Sequence, residues 1–414
     1  MKQIRDRSNY RLLQGAIVVG AVSLAVWRYH LLDGAIPTSS SGEGGDFLTY
    51  LRAAQHVSVG SSPYQLSPST DGHDFGYVYS PFVAVALAPL ASISVAALWK
   101  LWIAFSIAVL LTGAGLFAYD VSPVLARWKR PLVLGVAALT SLKFMPTEVT
   151  LWWGNADALI FLLLVVTTLA IRRERAFETG ILIGIGVLIK SWPGLVILVV
   201  LNQGFSKRSR IFAGFLSATL AGTLLFLPIG GLATLRSWML VTLHSSSQPF
   251  ISCSVWGAPK LLFGLSGEAK PLIVSIQLQF ALTVILASFV IGLLVLVIRR
   301  SRNRSVTFWH VVACIILLLP VSHASYTLFL LPIMWTWISK FIAAPFESRV
   351  VTVLASASVL WWLSLLPTAL WRGPTSVSSL IYEVPFIANL ALVAISIIGE
   401  SRLEIRSKVS TLVQ

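Results

Sequence analysis

Long apolar stretches separated by short polar segments run along almost the whole chain. A helix rises about 1.5 Å per residue and a hydrocarbon core is about 30 Å thick, so about 20 consecutive apolar residues predict a transmembrane helix. The first stretch, residues 12–32, is too long for the core of a cleaved signal peptide and predicts an anchoring helix. The further apolar runs cover residues 94–118, 131–147, 156–171, 211–229, 273–298, 306–320, 325–340, 350–370 and 386–399. The pattern predicts an all-α polytopic membrane protein.

Three other apolar pieces are too short to cross a membrane: residues 81–91, 178–189 and 193–203. The last two meet at Lys190, and a helix of about 12 residues rises only about 18 Å. The turn that carries Lys190 is therefore predicted to lie within the outer half of the membrane. Irregular backbone and a lysine at that depth are tolerated only where they line a cavity enclosed by protein or filled with water. With these pieces the bundle contains about 12 transmembrane or re-entrant helices.

Clusters of Lys and Arg between the apolar runs indicate the cytoplasmic loops, because basic residues accumulate on that side of a membrane. Both termini are then cytoplasmic, and residues 1–414 form a single transmembrane domain. The first external loop covers residues 33–80, the second large external loop residues 230–272, and a cytoplasmic tail residues 400–414. The first loop is predicted to carry short helices on the membrane surface.

Composition and charge exclude several classes of function. Hydrophobic side chains make up 56% of the chain and charged ones 11%, whereas soluble domains carry about 25% charged residues. The net charge of +15 does not indicate nucleic-acid binding, because the basic residues form short clusters and no continuous face. Neither a GxxxxGK phosphate loop nor a GxSxG turn occurs, which argues against an ATP-driven pump and a serine hydrolase. Cys253 and Cys314 are not expected to form a disulfide, and no metal site is predicted.

Two charged residues are candidates for chemistry at the outer face. Asp46 follows two glycines and precedes an amphipathic stretch, so it is either a functional carboxylate or the cap of an interfacial helix. Lys190, beside a Trp-Pro turn, is suited to an anionic lipid phosphate. Its alternatives are snorkelling to the outer interface and pairing with Asp157.

Polar residues in two later segments add weaker candidates. His323 follows a break at Pro320 and is either a phosphate ligand, a proton carrier or a structural group. His244 and Gln248 lie in the second external loop and are either binding residues or solvated surface. The candidates share the outer leaflet, which suits an enzyme acting on a lipid-linked substrate and equally the outer vestibule of a transporter.

The sequence motifs of the first external loop resemble those of glycosyltransferase family 87, the GT-C group that includes phosphatidylinositol-mannoside mannosyltransferases. The motifs here are Gly45-Asp46-Phe-x-x-Tyr50-x-x-Ala53-Ala54, Gly60-x-x-Pro63-Tyr64 and Tyr77-x-Tyr79-Ser80-Pro81-Phe82. In the same order follow Gly154-Asn155-Ala156-Asp157, Gly180-x-x-x-Gly184-x-x-x-x-x-Lys190-x-x-Pro193 and Pro320-x-x-His323. Two segments depart from the family. It commonly has Gln and Asn where this chain has Asn155 and Asp157, and it often has Asn-Gln-Ser where this chain has Ser247-Gln248-Pro249.

The resemblance implies a GT-C bundle that works at the external, periplasmic face of a bacterial-type plasma membrane. The implied reaction transfers mannose, or in some relatives arabinofuranose, from a polyprenyl-phosphate donor to a glycolipid or glycan acceptor, with inversion and without a metal or other cofactor. Asp46 would be the general base, and Lys190 and His323 would bind the donor phosphate. The residues expected to orient sugars or the acceptor are Tyr79, Gln248, Asp157, Asn155 and His244. Membrane lipids are the other expected partners, nucleic acid is not, and a transporter or a non-catalytic scaffold are the alternatives from other classes.

Overall fold

The computed structural model describes residues 2–34, 45–64, 77–121, 129–228, 231–244, 253–264, 271–300, 304–320, 322–343 and 386–399. Throughout these residues the regular structure is helical and contains no strand, as predicted. The α-helices are α1 (Lys2–Asp33), α2 (Gly45–Ser58), α3 (Pro81–Leu87), α4 (Val95–Val121), α5 (Arg130–Lys143), α6 (Met145–Trp153), α7 (Asp157–Arg172), α8 (Ala176–Ile189), α9 (Phe205–Phe226), α10 (Gly231–His244), α11 (Gly257–Phe263), α12 (Ile276–Arg300), α13 (Arg304–Leu318), α14 (Leu331–Ala343) and α15 (Phe386–Gly399). The 3₁₀-helices cover Ala88–Leu90, Trp192–Asn202 and Ala324–Leu330.

Several helices are apolar enough for an integral membrane protein. By length and composition, four described segments can cross a membrane: Leu12–Asp33, Val95–Val121, Phe205–Phe226 and Ile276–Arg299. The consecutive helices α5 and α6 pass the same test together and raise the number to five. The larger predicted number of about 12 segments, the loop sides and the positions of the termini stay predictions.

Proline positions explain where the helices depart from the predicted runs. The run 193–203 forms the 3₁₀-helix Trp192–Asn202, in which Pro193 is the second residue. A proline is tolerated in the first turn of a helix because the amide hydrogen that it lacks would have no partner there. The run 325–340 divides into Ala324–Leu330 and α14, with Pro332 at the second residue of α14. The short pieces predicted at 81–91 and 178–189 are short helices, and the predicted run 350–370 lies outside the described residues.

The chain divides into two compact units. Unit I consists of Met1–Val19, Phe117–Pro146 and Ser246–Gln414, and unit II of Gly20–Leu116 and Thr147–Ser245. In unit I, the buried Trp335 donates a hydrogen bond from Nε1 to Thr140 Oγ1 at 2.9 Å and packs on Phe117. Cys253 and Cys314, both in unit I, are buried and are not joined by a disulfide, as expected.

Unit II is organised around the close contact of α8 with α9. A Cβ atom at Gly180 would collide with the carbonyl of Ile211 and lie 2.7 Å from the amide nitrogen of Phe215. One turn later, a Cβ atom at Gly184 would lie 2.9 Å from the carbonyl oxygen of Phe215. Small residues let helix backbones approach in this way. The paired glycines of the sequence motif therefore serve the packing of the helix that ends at Lys190.

Gly180→Ala tests this packing. Because backbone atoms occupy the space of the new methyl group, we expect a loss of stability of about 1–3 kcal/mol. The measurement is the thermal unfolding temperature of the protein in detergent. Gly115→Ala in α4 is the matched control, because nothing lies within 4 Å of a Cβ atom there. Equal unfolding temperatures for the two variants would contradict the proposed packing role.

Candidate active site

The first turn of α2 carries Asp46, and Tyr50 lies one turn later. Residues four apart share a helix face, and on α2 that face also contains buried Phe47 and Ala54. The Tyr50 side chain is 0% exposed, whereas Asp46 is partly exposed. The amphipathic pattern thus places a carboxylate at the edge of a buried face.

A sharp turn between α6 and α7 lies against this face. Gly154 has φ +65°, and a Cβ atom there would lie 2.6 Å from Phe47 Cβ and 2.8 Å from Trp99 Cζ3. Glycine alone satisfies both the left-handed backbone and the close approach. The backbone amide of Ala156 donates to the Tyr50 hydroxyl at 3.2 Å, which joins α2 to the turn.

Lys190 follows α8, where the backbone becomes extended (φ −137°, ψ 140°). The lysine side chain is 6% exposed. Its ammonium nitrogen donates to Asp157 Oδ1 at 2.7 Å and to Asn155 Oδ1 at 2.9 Å. Of the alternatives considered for Lys190, pairing with Asp157 is the arrangement observed.

Asp46 joins the same cluster through Asn155. The amide nitrogen Nδ2 of Asn155 donates to Asp46 Oδ2 at 2.5 Å, and the Tyr79 hydroxyl makes a second hydrogen bond to the carboxyl group. The Lys190 nitrogen also lies 5.6 Å from the centre of the Tyr79 ring. The structure thus brings together Asp46, Tyr79, Asn155, Asp157 and Lys190, which the sequence singles out from four separate segments.

The tyrosine-rich motif before α3 holds Tyr79 in place. The Tyr64 hydroxyl donates to the Tyr79 carbonyl at 2.7 Å, and the Tyr77 hydroxyl donates to the Ser80 carbonyl at 2.6 Å. The Ser80 hydroxyl in turn donates to the carbonyl of Leu188, two residues before Lys190. The motif thereby connects the Tyr79 side to the Lys190 side of the cluster.

Burial changes the acidity of Asp46, which lies outside the candidate spans. Its removal from water raises the pKa from 3.8 to about 6, because a charged group is disfavoured away from water. The Lys190 ammonium and the hydrogen bonds from Tyr79 and Asn155 oppose the rise in pKa, and the charge of Asp157 adds to it. The result is a carboxylate that is ionised at neutral pH and still basic enough to accept a proton.

The comparison with known families decides between the classes of function. The family model for glycosyltransferase family 87 matches residues 77–322, more than half of the chain. This chain belongs to glycosyltransferase family 87. The resemblance inferred from the motifs is confirmed, and the protein is a glycosyltransferase rather than a transporter. No curated protein matches the chain.

The family 87 match includes four of the five clustered residues. Tyr79, Asn155, Asp157 and Lys190 lie within it, whereas Asp46 precedes it and His323 follows its last residue directly. In unit I, His323 comes before the 3₁₀-helix Ala324–Leu330, and its carbonyl accepts a hydrogen bond from the Tyr326 amide at 3.0 Å. The cluster is thus assembled within unit II, and the role of His323 stays a prediction.

Two predicted residues cannot be assigned to this site. Gln248 lies outside the described residues, and His244 ends α10 with its side chain outside the described part.

Tyr50 belongs to the motif of the first external loop, but the sequence assigned it no role in the site. It shares a hydrogen bond with Tyr79, and the two ring centres lie 4.6 Å apart. Its spacing of four residues from Asp46 on an amphipathic helix was the available signal.

The raised pKa predicts an acidic limit to activity. If Asp46 accepts a proton during transfer, kcat/KM should fall about tenfold per pH unit below pH 6 and level off above it, because only the ionised carboxylate is a base. The measurement is the transfer rate between pH 4.5 and 8 under subsaturating donor. A limb centred near pH 4 would contradict the raised pKa of Asp46.

Proposed function

We propose that this glycosyltransferase transfers mannose from polyprenyl-phosphate mannose to a glycolipid or glycan acceptor at the outer face of the membrane. The general base is Asp46. The observation that supports this proposal is the oriented Asp46 carboxylate, which accepts hydrogen bonds from Asn155 and Tyr79 and has a pKa of about 6. General bases work best with a pKa close to the operating pH.

The proposed reaction is a single displacement. The acceptor hydroxyl gives its proton to the Asp46 carboxylate while its oxygen forms a bond to the anomeric carbon. The bond from that carbon to the phosphate oxygen breaks, and the polyprenyl phosphate leaves with the electron pair. One displacement inverts the anomeric configuration and needs no covalent enzyme intermediate.

Cationic side chains would stabilise the leaving phosphate, and the proposed reaction needs no metal ion. Groups placed where charge develops lower the barrier of such steps. Lys190 and His323 are the proposed cations. The Lys190 ammonium lies in the same cluster as Asp46 but is already paired with Asp157. A substitution of Lys190 would therefore also break this ion pair, so a substitution of His323 tests phosphate binding more directly.

Recognition of the sugar and the acceptor is assigned to polar groups around the base. Tyr79 carries a partly exposed ring beside Asp46, and Gln248 and His244 are proposed from the second external loop. Arabinofuranose is the second candidate sugar, because the same base and the same phosphate chemistry serve either donor.

Asp46→Asn tests the base. The amide has the shape of the carboxylate but cannot accept the proton, so we expect a loss of transfer of about 10²–10⁴-fold. Purified wild type and variant are assayed with radiolabelled polyprenyl-phosphate mannose and, in parallel, polyprenyl-phosphate arabinofuranose, against a panel of membrane glycolipids.

Asp33→Asn is the matched control, because Asp33 ends α1 and faces His30 at 3.8 Å. Turnover of Asp46→Asn close to that of the wild type would reject the base. Transfer of arabinofuranose alone would move the proposal to the second donor.

His323→Ala tests the phosphate ligand. Hydrogen bonds to charged groups contribute about 1.5–3 kcal/mol, so we expect the donor KM to rise about tenfold or more while the acceptor KM stays unchanged. The KM values are measured with each substrate varied in turn. His30→Ala is the control, since His30 is an exposed residue at the end of α1. An unchanged donor KM would exclude His323 from the phosphate site.

A further inference from the structure

We infer that Asn155 is a positioning residue for the general base, and that the Lys190–Asp157 ion pair holds the Asn155 amide in the one orientation that donates to Asp46. This inference rests on the proposed role of Asp46. It assigns Asn155 and Asp157 to the control of the base rather than to the binding of a sugar.

The partners of Asn155 determine which way its amide points. The Oδ1 atom accepts from the Lys190 ammonium at 2.9 Å and from the Asp157 backbone amide at 3.0 Å. Both partners are donors that have no acceptor function. A flipped amide would direct its own NH₂ group at an ammonium and at an N–H group, so the flipped orientation is excluded by chemistry.

With Oδ1 fixed, the NH₂ group of Asn155 faces the carboxylate of Asp46. The distance from Nδ2 to Asp46 Oδ2 is 2.5 Å, within the range of a strong hydrogen bond to a charged acceptor. A carbonyl oxygen has two lone pairs, and both of those on Asn155 Oδ1 are occupied. The Oδ1 atom therefore has no lone pair left for a sugar hydroxyl, and one of the two N–H donors of Nδ2 is directed at the base.

The ion pair behind Asn155 is itself buried. Asp157 is 0% exposed and Lys190 is 6% exposed, with 2.7 Å between their charged atoms. The second carboxylate oxygen of Asp157, Oδ2, has no hydrogen-bond partner among the described residues, so Lys190 is the charged contact of this carboxylate. Asp157 thus pairs with the Lys190 ammonium at contact distance, and the same ammonium lowers the pKa of Asp46 from farther away.

The backbone supports the same geometry. Asn155 lies in the turn that Gly154 starts with φ +65°, and its Oδ1 atom satisfies the amide of Asp157, the first residue of α7. Free amides at the start of a helix need such an acceptor. One side chain thus completes the start of α7, contacts the buried cation and orients the base.

Among the described residues, the ionisable groups that interact with Asp46 are Lys190, Asp157, Tyr79 and Tyr50. The cation favours the ionised carboxylate and the neighbouring anion disfavours it. Changes at Lys190 and at Asp157 should therefore move the protonation midpoint of Asp46 in opposite directions. A residue with a purely structural role would not produce opposite shifts.

The experiment is an infrared titration of the purified protein in lipid nanodiscs, without substrate. The infrared band of the Asp46 carboxyl group is identified as the band that Asp46→Asn removes. The pH midpoint of its titration is expected near 6 in the wild type. In Asn155→Leu we expect the midpoint to rise by about one pH unit, the equivalent of one lost hydrogen bond to a charged group. Lys190→Met should raise the midpoint and Asp157→Asn should lower it.

Lys207→Met is the matched control. Lys207 pairs with Glu174 at 2.9 Å but lies on the surface of the same unit, so the Asp46 midpoint should stay at the wild-type value. If Lys190→Met does not fold, Lys190→Met combined with Asp157→Leu removes the pair as a unit, and the midpoint should still rise. The inference is overturned if Asn155→Leu leaves the midpoint unchanged, if Lys190→Met and Asp157→Asn shift it in the same direction, or if no band depends on Asp46.

Steady-state transfer separates this inference from the proposed function. Positioning predicts that the acidic limb of kcat/KM follows the infrared midpoint in each variant, whereas a pure phosphate ligand at position 190 predicts a higher donor KM with an unmoved limb. If wild type transfers neither mannose nor arabinofuranose, the proposed function fails, and the titration still decides whether Asn155 controls Asp46.

Discussion

The positive charge of a buried ammonium group must be compensated by acceptors or an opposite charge, and in this protein that requirement connects three parts of unit II. Lys190, at the end of α8, reaches across to the turn before α7, where Asp157 supplies the opposite charge and Asn155 a second acceptor. Through Asn155 the same cation is linked to Asp46 at the start of α2. Removing one member of a buried ion pair is costly, so the three segments are energetically interdependent. The position of the carboxylate therefore depends on residues far from it in the chain.

Part of this arrangement could be predicted from the sequence. A lysine between two short apolar runs must be compensated or solvated, and pairing with Asp157 was one of the expected solutions. The apolar runs also predicted most helices to within a few residues. The family resemblance brought Asp46, Tyr79, Asn155 and Lys190 into one site before any contact was known.

Other parts could not be predicted because they depend on tertiary contacts. Nothing in the local sequence shows that both lone pairs of the Asn155 Oδ1 atom are occupied, by Lys190 and by the Asp157 amide, and its role in sugar binding stays a prediction. Tyr50 is an ordinary apolar position of α2 by its periodicity, and its hydrogen bonds to Ala156 and Tyr79 arise only when the turn at Gly154 packs on α2. The 3₁₀ geometry of Trp192–Asn202 could not be predicted either, because the hydrophobic pattern of this segment does not distinguish a 3₁₀-helix from an α-helix.

The glycine contact between α8 and α9 has a consequence for how the site responds to its surroundings. α9 is one of the four described segments long enough to span a membrane, whereas α8 is too short. Because the two backbones come into close contact at Gly180, Gly184 and Gly214, α8 cannot shift along α9 without a change in this packing. A shift of α9 in response to the hydrocarbon thickness of the surrounding lipid would therefore be transmitted to α8 and to Lys190, the residue that follows it. Membrane thickness would in this way act on the contacts of Lys190 with Asp157 and Asn155 through the α8–α9 pair.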